Sequence, residues 1–384
     1  MNHKIFCTKP FNAIFLGPDG GVRPCCSLTG GDLGNLNTQT LDEILHGELA
    51  SSIRQSFIKN EWHPSCDMCR KLKEISPNLG EMKFDQNEYD DIVKVGSEYF
   101  KLVSMDLRWT NLCNLACNYC MPYFSSRWAQ INGEKINFLE KNNAEKLLTY
   151  IKDNVDTVTN IMMLGGEPLL QKENIKLLEI LEDKDVGIHI LTNLSTPLDS
   201  NPIGNMLLKR NRLSWGISME TVGDRYEYVR DGASWEVLNK NIQIIKNNRP
   251  QAESIRIFPI YCLYSAFNLM ELFDWANDVG ITEITWQVID DMAPLELGVR
   301  YLSKELKLEA SAEIDRVVEK YSHRFDMNVL LSIKKEIVDS KDSQEVMDPM
   351  SWTLKLETEK LKNKKHTFVE LWPDLANKLD KKVM

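Results

Sequence analysis

The stretch Cys113-Asn114-Leu115-Ala116-Cys117-Asn118-Tyr119-Cys120 carries three thiols at C-x3-C-x2-C spacing. It directly follows Leu102–Arg108, which reads as a strand. Three thiolates from one loop can hold three irons of a cubane cluster and leave the fourth iron without a protein ligand. An iron left open in this way binds a small molecule, as a catalytic zinc does through its open position. Two other readings stand beside this one. A helix stripe of small hydrophobes at i, i+4 and i+7 would set three cysteines beside two asparagines, a poor core. A structural zinc site wants a fourth protein ligand, and none stands close in sequence.

Outward from this loop, strand and helix patterns alternate. Strands are predicted over Asn160–Leu164, Gly187–Thr192, Leu213–Met219, Ser254–Ile260 and Glu283–Val288. Helices are predicted over Asn142–Asn154, Glu173–Leu181, around Met206, and over Val237–Asn247 and Leu269–Asn277. With Leu102–Arg108 this makes six strands, each followed by a helix or a polar segment. Such alternation implies parallel strands with right-handed crossovers, in an open doubly wound sheet or a partial barrel. Residues 296–384 are rich in Lys, Glu and Leu and read as helical.

Eight of the nine cysteines lie in the first 120 residues, a crowding that points to metal or redox chemistry in a reducing compartment. Before the loop stand Cys7, Cys25, Cys26, Cys66 and Cys69. Ala13–Leu16 and Val22–Pro24 flank Pro18-Asp19-Gly20-Gly21 and read as a hairpin. Leu41–Phe57 reads as a helix, and 81–100 as a polar, acidic connector. Four thiolates at C-x17-C and C-x2-C saturate one 4Fe–4S cluster, with a four-cysteine zinc site as the alternative.

Composition narrows the function. Hydrophobic residues at 43% and charged residues at 27% are ordinary globular values. A net charge of −10 argues against a general nucleic-acid binder. No run of 18 apolar residues is present, so no membrane helix is expected. The first residues lack the apolar core of a signal peptide, and a cytoplasmic location is expected.

Taken together, the three-cysteine loop and Gly165-Gly166-Glu167-Pro168 at the end of the second strand resemble the radical S-adenosylmethionine (SAM) superfamily. The resemblance covers residues 101–295 and implies a partial (β/α)6 TIM-like α/β barrel. It implies that Cys113, Cys117 and Cys120 hold a SAM-binding [4Fe–4S] cluster. Tyr119 stands where the family has an aromatic near the adenine. Gly165, Gly166, Glu167 and Pro168 match the segment that contacts the SAM amino group. Glycines let backbone approach a ligand, and a carboxylate can meet an ammonium. Taken alone, the same segment would read as a strand-to-helix turn with Pro168 at the first helical position. Ser218 and Glu220 would meet the ribose, although many relatives have Asp in place of Glu220. Arg230 would stand near the SAM carboxylate, and Val288 would offer backbone to the adenine. The simpler reading of Arg230 is a surface arginine, and of Val288 a core valine. Thr192-Asn193 would line the site or cap the next segment.

The segment before the barrel resembles the twitch or SPASM auxiliary-cluster domain of the same superfamily, with Cys7, Cys25, Cys66 and Cys69 as ligands to a second [4Fe–4S] cluster. In most relatives this domain follows the barrel, whereas here it precedes it. Cys26 is then spare, expected as a buried small residue. The implied organisation is a cluster domain over 1–80, a linker over 81–100, the barrel over 101–295 and a helical region over 296–384. The implied chemistry is reductive cleavage of SAM to a 5′-deoxyadenosyl radical that takes a substrate hydrogen, with the second cluster for electron transfer. A flavodoxin- or ferredoxin-type reductant and a peptide or small-molecule substrate are implied. Oxidative modification of a peptide or protein side chain stands first. Dehydrogenation or cyclisation of a sugar- or nucleotide-type metabolite stands second, and a zinc-binding scaffold third. Cys262 would be a hydrogen donor or, more simply, a buried structural cysteine. Asp290 and Asp291 would be substrate contacts or a solvated turn. Trp352, Phe368 and Trp372 would cover the barrel mouth or pack the tail.

Overall fold

Pro18-Asp19-Gly20-Gly21 makes the predicted turn. Gly20 has φ +87°, a conformation that a side chain disfavours, and strands Ala13–Leu16 and Gly21–Arg23 pair antiparallel across it. The computed structural model describes residues 7–70, 86–248, 255–289, 294–340, 348–362 and 364–380. Asp290 and Asp291 lie outside the described residues. The chain groups into two compact units.

The first unit joins residues 1–112 to 135–190 and 209–213. Its sheet begins with Gly34–Asn35, which pairs antiparallel with Gly21–Arg23. Ala13–Leu16 then pairs parallel with Ser104–Leu107, Ser104–Leu107 with Asn160–Met163, and Asn160–Met163 with Gly187–Thr192. The cysteine-rich hairpin and the first strands of the α/β segment therefore share one sheet. In-register partners point to the same side. Leu16, Leu107, Met163 and Ile190 make one fully buried row. Phe15, Asp106, Met162 and His189 make the opposite, partly open row.

The segment expected as a connector is ordered where it is described. Gln86–Val95 is a helix, and its Ile92 is buried with Phe11, Leu28, Ile53 and Phe57. Arg54, 1% exposed, donates to the carbonyls of Pro10, Leu45 and Ser97. One guanidinium thus satisfies three segments, and burial pushes it down to about 10. The helix predicted over Leu41–Phe57 is two, Leu41–Leu45 and Glu48–Ile58, with Gly47 as N-cap of the second.

The second unit joins residues 113–134 and 191–208 to 214–384. Leu213–Ile217, which begins at the end of the first unit, pairs parallel with Ile255–Ile257, and that strand with Glu283–Ile284. The last two predicted strands are each broken, at Phe258-Pro259 and at Thr285-Trp286, and resume as the parallel pair Ile260–Tyr261 and Gln287–Val288. Proline lacks the N–H a ladder needs, which accounts for the first break. The tail is helical, chiefly Lys304–Tyr321, Asn328–Asp339, Pro349–Lys355 and Pro373–Asp380. Among the described residues no helix is long and apolar enough to cross a membrane. Parallel strands alternating with helices bear out the α/β expectation.

Candidate active site

The root of the three-cysteine loop is fixed by the Gly-Gly-Glu-Pro turn. Gly166 N–H donates to Thr110 O at 3.2 Å, and Glu167 N–H to Leu112 O at 2.7 Å. A Cβ on Gly166 would stand 2.3 Å from Leu112 O and 2.4 Å from Asn111 O. The close approach that requires glycine here is to the chain's own backbone. Gly165 has φ +127°, and its absent side chain leaves room for Gln171. The Gln171 amide donates to Thr110 O and Leu164 O and accepts from Trp109 N–H. Trp109 Nε1 donates to Asn174 Oδ1, and Asn174 Nδ2 to Pro168 O. Pro168 opens the short 3-10 turn Pro168–Leu170, and Glu167, fully buried, caps it by accepting from Leu169 N–H. Trp109, Gln171 and Asn174 were not foreseen. Polar side chains at buried positions of an amphipathic segment are the only sequence sign of such a network.

Within the second unit, the cysteine loop is tied at several points. Cys113 N–H donates to Ser126 Oγ, and Trp128 Nε1 to Cys117 O at 2.8 Å. Ala116–Cys117 pairs antiparallel with Arg230–Asp231, Cys117 facing Arg230. Two nitrogens reach the thiols: Asn193 Nδ2 lies 3.9 Å from Cys113 Sγ, and Arg230 Nη1 lies 3.7 Å from Cys117 Sγ. Asn193 also donates to Asn114 Oδ1 and so faces the loop, whereas Thr192 Oγ1 accepts from Leu194 N–H. Leu194, the next residue, holds φ +50°, an uncommon strain for leucine.

Burial pushes the Cys117 and Cys120 thiols up, and Cys120 rises further beside Cys117 and Cys113. Cys113 and Cys117 pack with Leu115 in one buried cluster, and Cys120 packs against it. Their setting suits an Fe–S cluster: Cys113 and Cys117 are buried, Cys120 is half-buried, and N–H donors meet the Cys113 and Cys117 sulfurs. Among the described residues no three or more His, Cys, Asp or Glu stand close enough to hold one metal ion. A cubane spreads its thiolates over several irons and asks for a wider set.

Three further predicted residues come together behind the loop. Glu220 and Arg230 form a buried bidentate pair, Nε to Oε2 at 2.9 Å and Nη2 to Oε1 at 2.7 Å. Tyr119 OH donates to the same Glu220 Oε1 at 2.8 Å. Burial alone would lower the Arg230 guanidinium, but Glu220 beside it holds it well above its usual range. Arg230 is therefore no surface arginine, and Glu220 and Arg230 are engaged with each other. Ser218 N–H donates to Thr192 O at 2.9 Å. Val288 is 45% exposed, which removes the core-valine reading.

A cavity of 710 Å³ opens beside the loop, lined by Tyr119, Cys120, Trp128, Trp352, Lys355 and Lys360 among others. Trp352 from the tail thus reaches the loop. Phe368 and Trp372 instead stack on each other beside Tyr264 and Tyr228. Cys262 is fully buried, and burial pushes its thiol up to about 12. Lys364, which sequence reasoning missed, donates to Asn118 Oδ1 at 3.0 Å and to Tyr228 O at 2.6 Å. Burial pushes its ammonium down to about 8, with Asp231 and Cys117 acting against that.

In the first unit, burial pushes the Cys25 thiol up to about 11 and the Cys66 thiol up to about 12. Cys7 and Cys69 act on both, and Cys25 on Cys66. Thr29 N–H and Oγ1 both meet Ser65 O, which joins the loop after Cys25 to the loop before Cys66. Cys26 corrects its expectation: it is exposed, 3.8 Å from Ser27 Oγ. Its place next to Cys25 turns it outward instead of into the core. None of the nine cysteines is in a disulfide.

The family model for the radical SAM superfamily matches residues 107–259, and that for an iron–sulfur cluster-binding domain, SPASM, matches residues 7–70. The chain carries a radical SAM segment and a SPASM segment. Its SPASM domain precedes the radical SAM segment, as expected. These domains bring SAM, a SAM-binding [4Fe–4S] cluster and an auxiliary [4Fe–4S] cluster. A 7-carboxy-7-deazaguanine synthase of Clostridium acetobutylicum is 31% identical over 129 residues, 33% of this chain and 52% of that protein. A GTP 3′,8-cyclase of Peptoclostridium acidaminophilum is 26% identical over 212 residues, 54% of this chain and 61% of that protein. The chain thus spans about half the length of the first of these relatives. Among solved structures, Streptococcus suis SuiB bound to S-adenosylmethionine aligns at 16% identity and TM-score 0.44, over 71% of this chain and 60% of that one.

Proposed function

We propose that this radical SAM enzyme cleaves SAM at the Cys113, Cys117 and Cys120 loop and oxidises the resulting substrate radical through a second cluster on Cys7, Cys25, Cys66 and Cys69. The observation that carries the reading is the loop itself. Three thiols share one packed cluster, two are met by Asn193 and Arg230, and the loop's root is bonded to the Gly-Gly-Glu-Pro turn. When bound, the two clusters supply and accept single electrons, and SAM supplies the 5′-deoxyadenosyl radical that takes a substrate hydrogen.

The chain's own residues do the rest. Gly165, Gly166, Glu167 and Pro168 hold the loop's root and present the turn to the SAM amino group. Ser218 stands at a strand end for the ribose. Glu220 and Arg230 form a buried pair that holds Tyr119 of the loop at the cavity wall, and Val288 would offer its backbone to the adenine. Trp128 and Trp352 shield one side of the cavity from water, which protects a radical from side reactions. A flavodoxin- or ferredoxin-type protein would deliver the electron, in a cytoplasmic setting that keeps nine thiols reduced.

For the substrate we favour a peptide or protein side chain. A cavity of 710 Å³ lined by aromatic, apolar and lysine side chains suits one side chain with its flanking backbone. The second reading is a nucleotide-type metabolite, supported by the names of the two sequence relatives. Anaerobic reconstitution tests the chemistry. About eight irons per chain are expected, about four without Cys113, Cys117 and Cys120, with 5′-deoxyadenosine formed only by the intact protein. No iron and no cleavage would overturn the reading in favour of a zinc scaffold. Binding of a peptide library against a nucleotide panel separates the two substrates.

A further inference from the structure

Lys364 sits in the C-terminal tail, far in sequence from the cysteine loop, yet its side chain is 5% exposed. Its ammonium donates to Asn118 Oδ1 and Tyr228 O, lies over the Tyr228 ring at 4.4 Å, and stands 3.7 Å from Asp231. Asn118 is the residue after Cys117, and its own N–H is bound to Val229 O at 2.8 Å. A buried lysine loses rotamer freedom and hydration, so a long side chain placed here for packing alone is costly. Arg230 already has a full-charge partner in Glu220. Asp231 lies 3.7 Å from Lys364 and 3.8 Å from Arg127, so one carboxylate is shared between two cations. Two cations on one carboxylate leave positive charge beside Asn118, the residue that follows Cys117.

We propose that Lys364 is a positioning residue for the three-cysteine cluster, holding the loop through Asn118 and placing a buried positive charge that favours the cluster's reduced state. The inference rests on the cluster reading above. Three thiolates give an oxidised [4Fe–4S]2+ cluster a net negative charge, and reduction adds another, so a nearby cation stabilises the product more than the reactant. Net charge and hydrogen bonding around a cluster set its potential. The tail thereby acts on the ease of the electron step without touching SAM or substrate.

The test is an EPR-monitored redox titration of the reconstituted full-length protein at pH 7, following the signal that changes when SAM is added. Lys364→Gln keeps a hydrogen-bond donor and removes the charge, whereas Lys364→Arg keeps the charge. The expected result is about a tenfold fall in the reduced-to-oxidised ratio at fixed potential for Lys364→Gln, equivalent to about 59 mV for one electron. Lys364→Arg should stay within about twofold of the parent. Asp231→Asn removes the opposing charge and should raise the ratio. Lys364→Gln titrating like the parent, or Lys364→Arg moving as far as Lys364→Gln, overturns the proposal. Should Lys364→Gln fail to hold a cluster, Lys364→Met is titrated in its place: a lowered ratio upholds the proposal and an unchanged one overturns it. A parent protein whose iron content ignores loss of Cys113, Cys117 and Cys120 defeats the cluster reading instead, a separate result.

Discussion

Replacing Gly166 by alanine distinguishes two reasons for the glycine. A carbon rarely approaches a carbonyl oxygen closer than ~3.3 Å. The added Cβ would stand 2.3 Å from Leu112 O and 2.4 Å from Asn111 O, both backbone atoms that no rotamer change can move. The turn and the loop's root must therefore separate by roughly 1 Å, judged against that contact distance. At that separation the 2.7 Å bond from Glu167 N–H to Leu112 O and the 3.2 Å bond from Gly166 N–H to Thr110 O are both lost. Two partly solvent-exposed backbone bonds broken cost about 1–3 kcal/mol. The strain falls at the loop that carries Cys113, so Gly166→Ala is expected to lose iron, retaining about four per chain from the other cysteines. The assay is iron and sulfide content after anaerobic reconstitution, with SAM binding on the same sample. Full iron with SAM binding alone lost would refute the argument and return the glycine to the role of admitting ligand.

Arg230→Met strands the Glu220 carboxylate, which is fully buried and also holds Tyr119 OH; a loss of about 3–5 kcal/mol is expected. Adding Glu220→Leu should recover most of it, and a denaturation midpoint series in the cluster-free protein checks the cycle. Cys262→Ala is expected to leave 5′-deoxyadenosine formation and substrate turnover intact while costing about 1–2 kcal/mol of stability. Abolished turnover with unchanged melting would make it the hydrogen donor after all.

Much of the fold was legible because it rests on periodicity. The strands Asn160–Met163 and Gly187–Thr192 and the helix Lys141–Asp153 lie within a residue or two of their sequence limits. The breaks in the last two strands were less so, since an apolar run conceals where a ladder stops. In the site, the cysteines and the Gly-Gly-Glu-Pro turn announce themselves by spacing. Gln171, Asn174 and Lys364 do not, because a buried polar residue is defined by partners distant in sequence. The resemblance offers Glu220 and Arg230 one by one as expected SAM contacts, but their pairing belongs to three dimensions alone.

The N-terminal domain does two separable things. Ala13–Leu16 pairs along its whole length with Ser104–Leu107, and Ile14 and Leu16 share a buried row with Met105 and Leu107. An uncovered sheet edge with apolar residues on one face invites aggregation. The hairpin covers that edge, whatever its cysteines bind. Deleting residues 1–80 is therefore expected to give a chain that aggregates and fails to assemble even the three-cysteine cluster. Replacing only Cys7, Cys25, Cys66 and Cys69 by alanine leaves the sheet intact. That variant should stay monodisperse, hold about four irons and still form 5′-deoxyadenosine, while losing the oxidised product. Size-exclusion chromatography, iron content and product analysis on the two proteins separate the roles. A well-folded, SAM-cleaving truncation would show that the shared sheet is incidental. A cysteine-free variant that still made the oxidised product would remove the second cluster from the electron path.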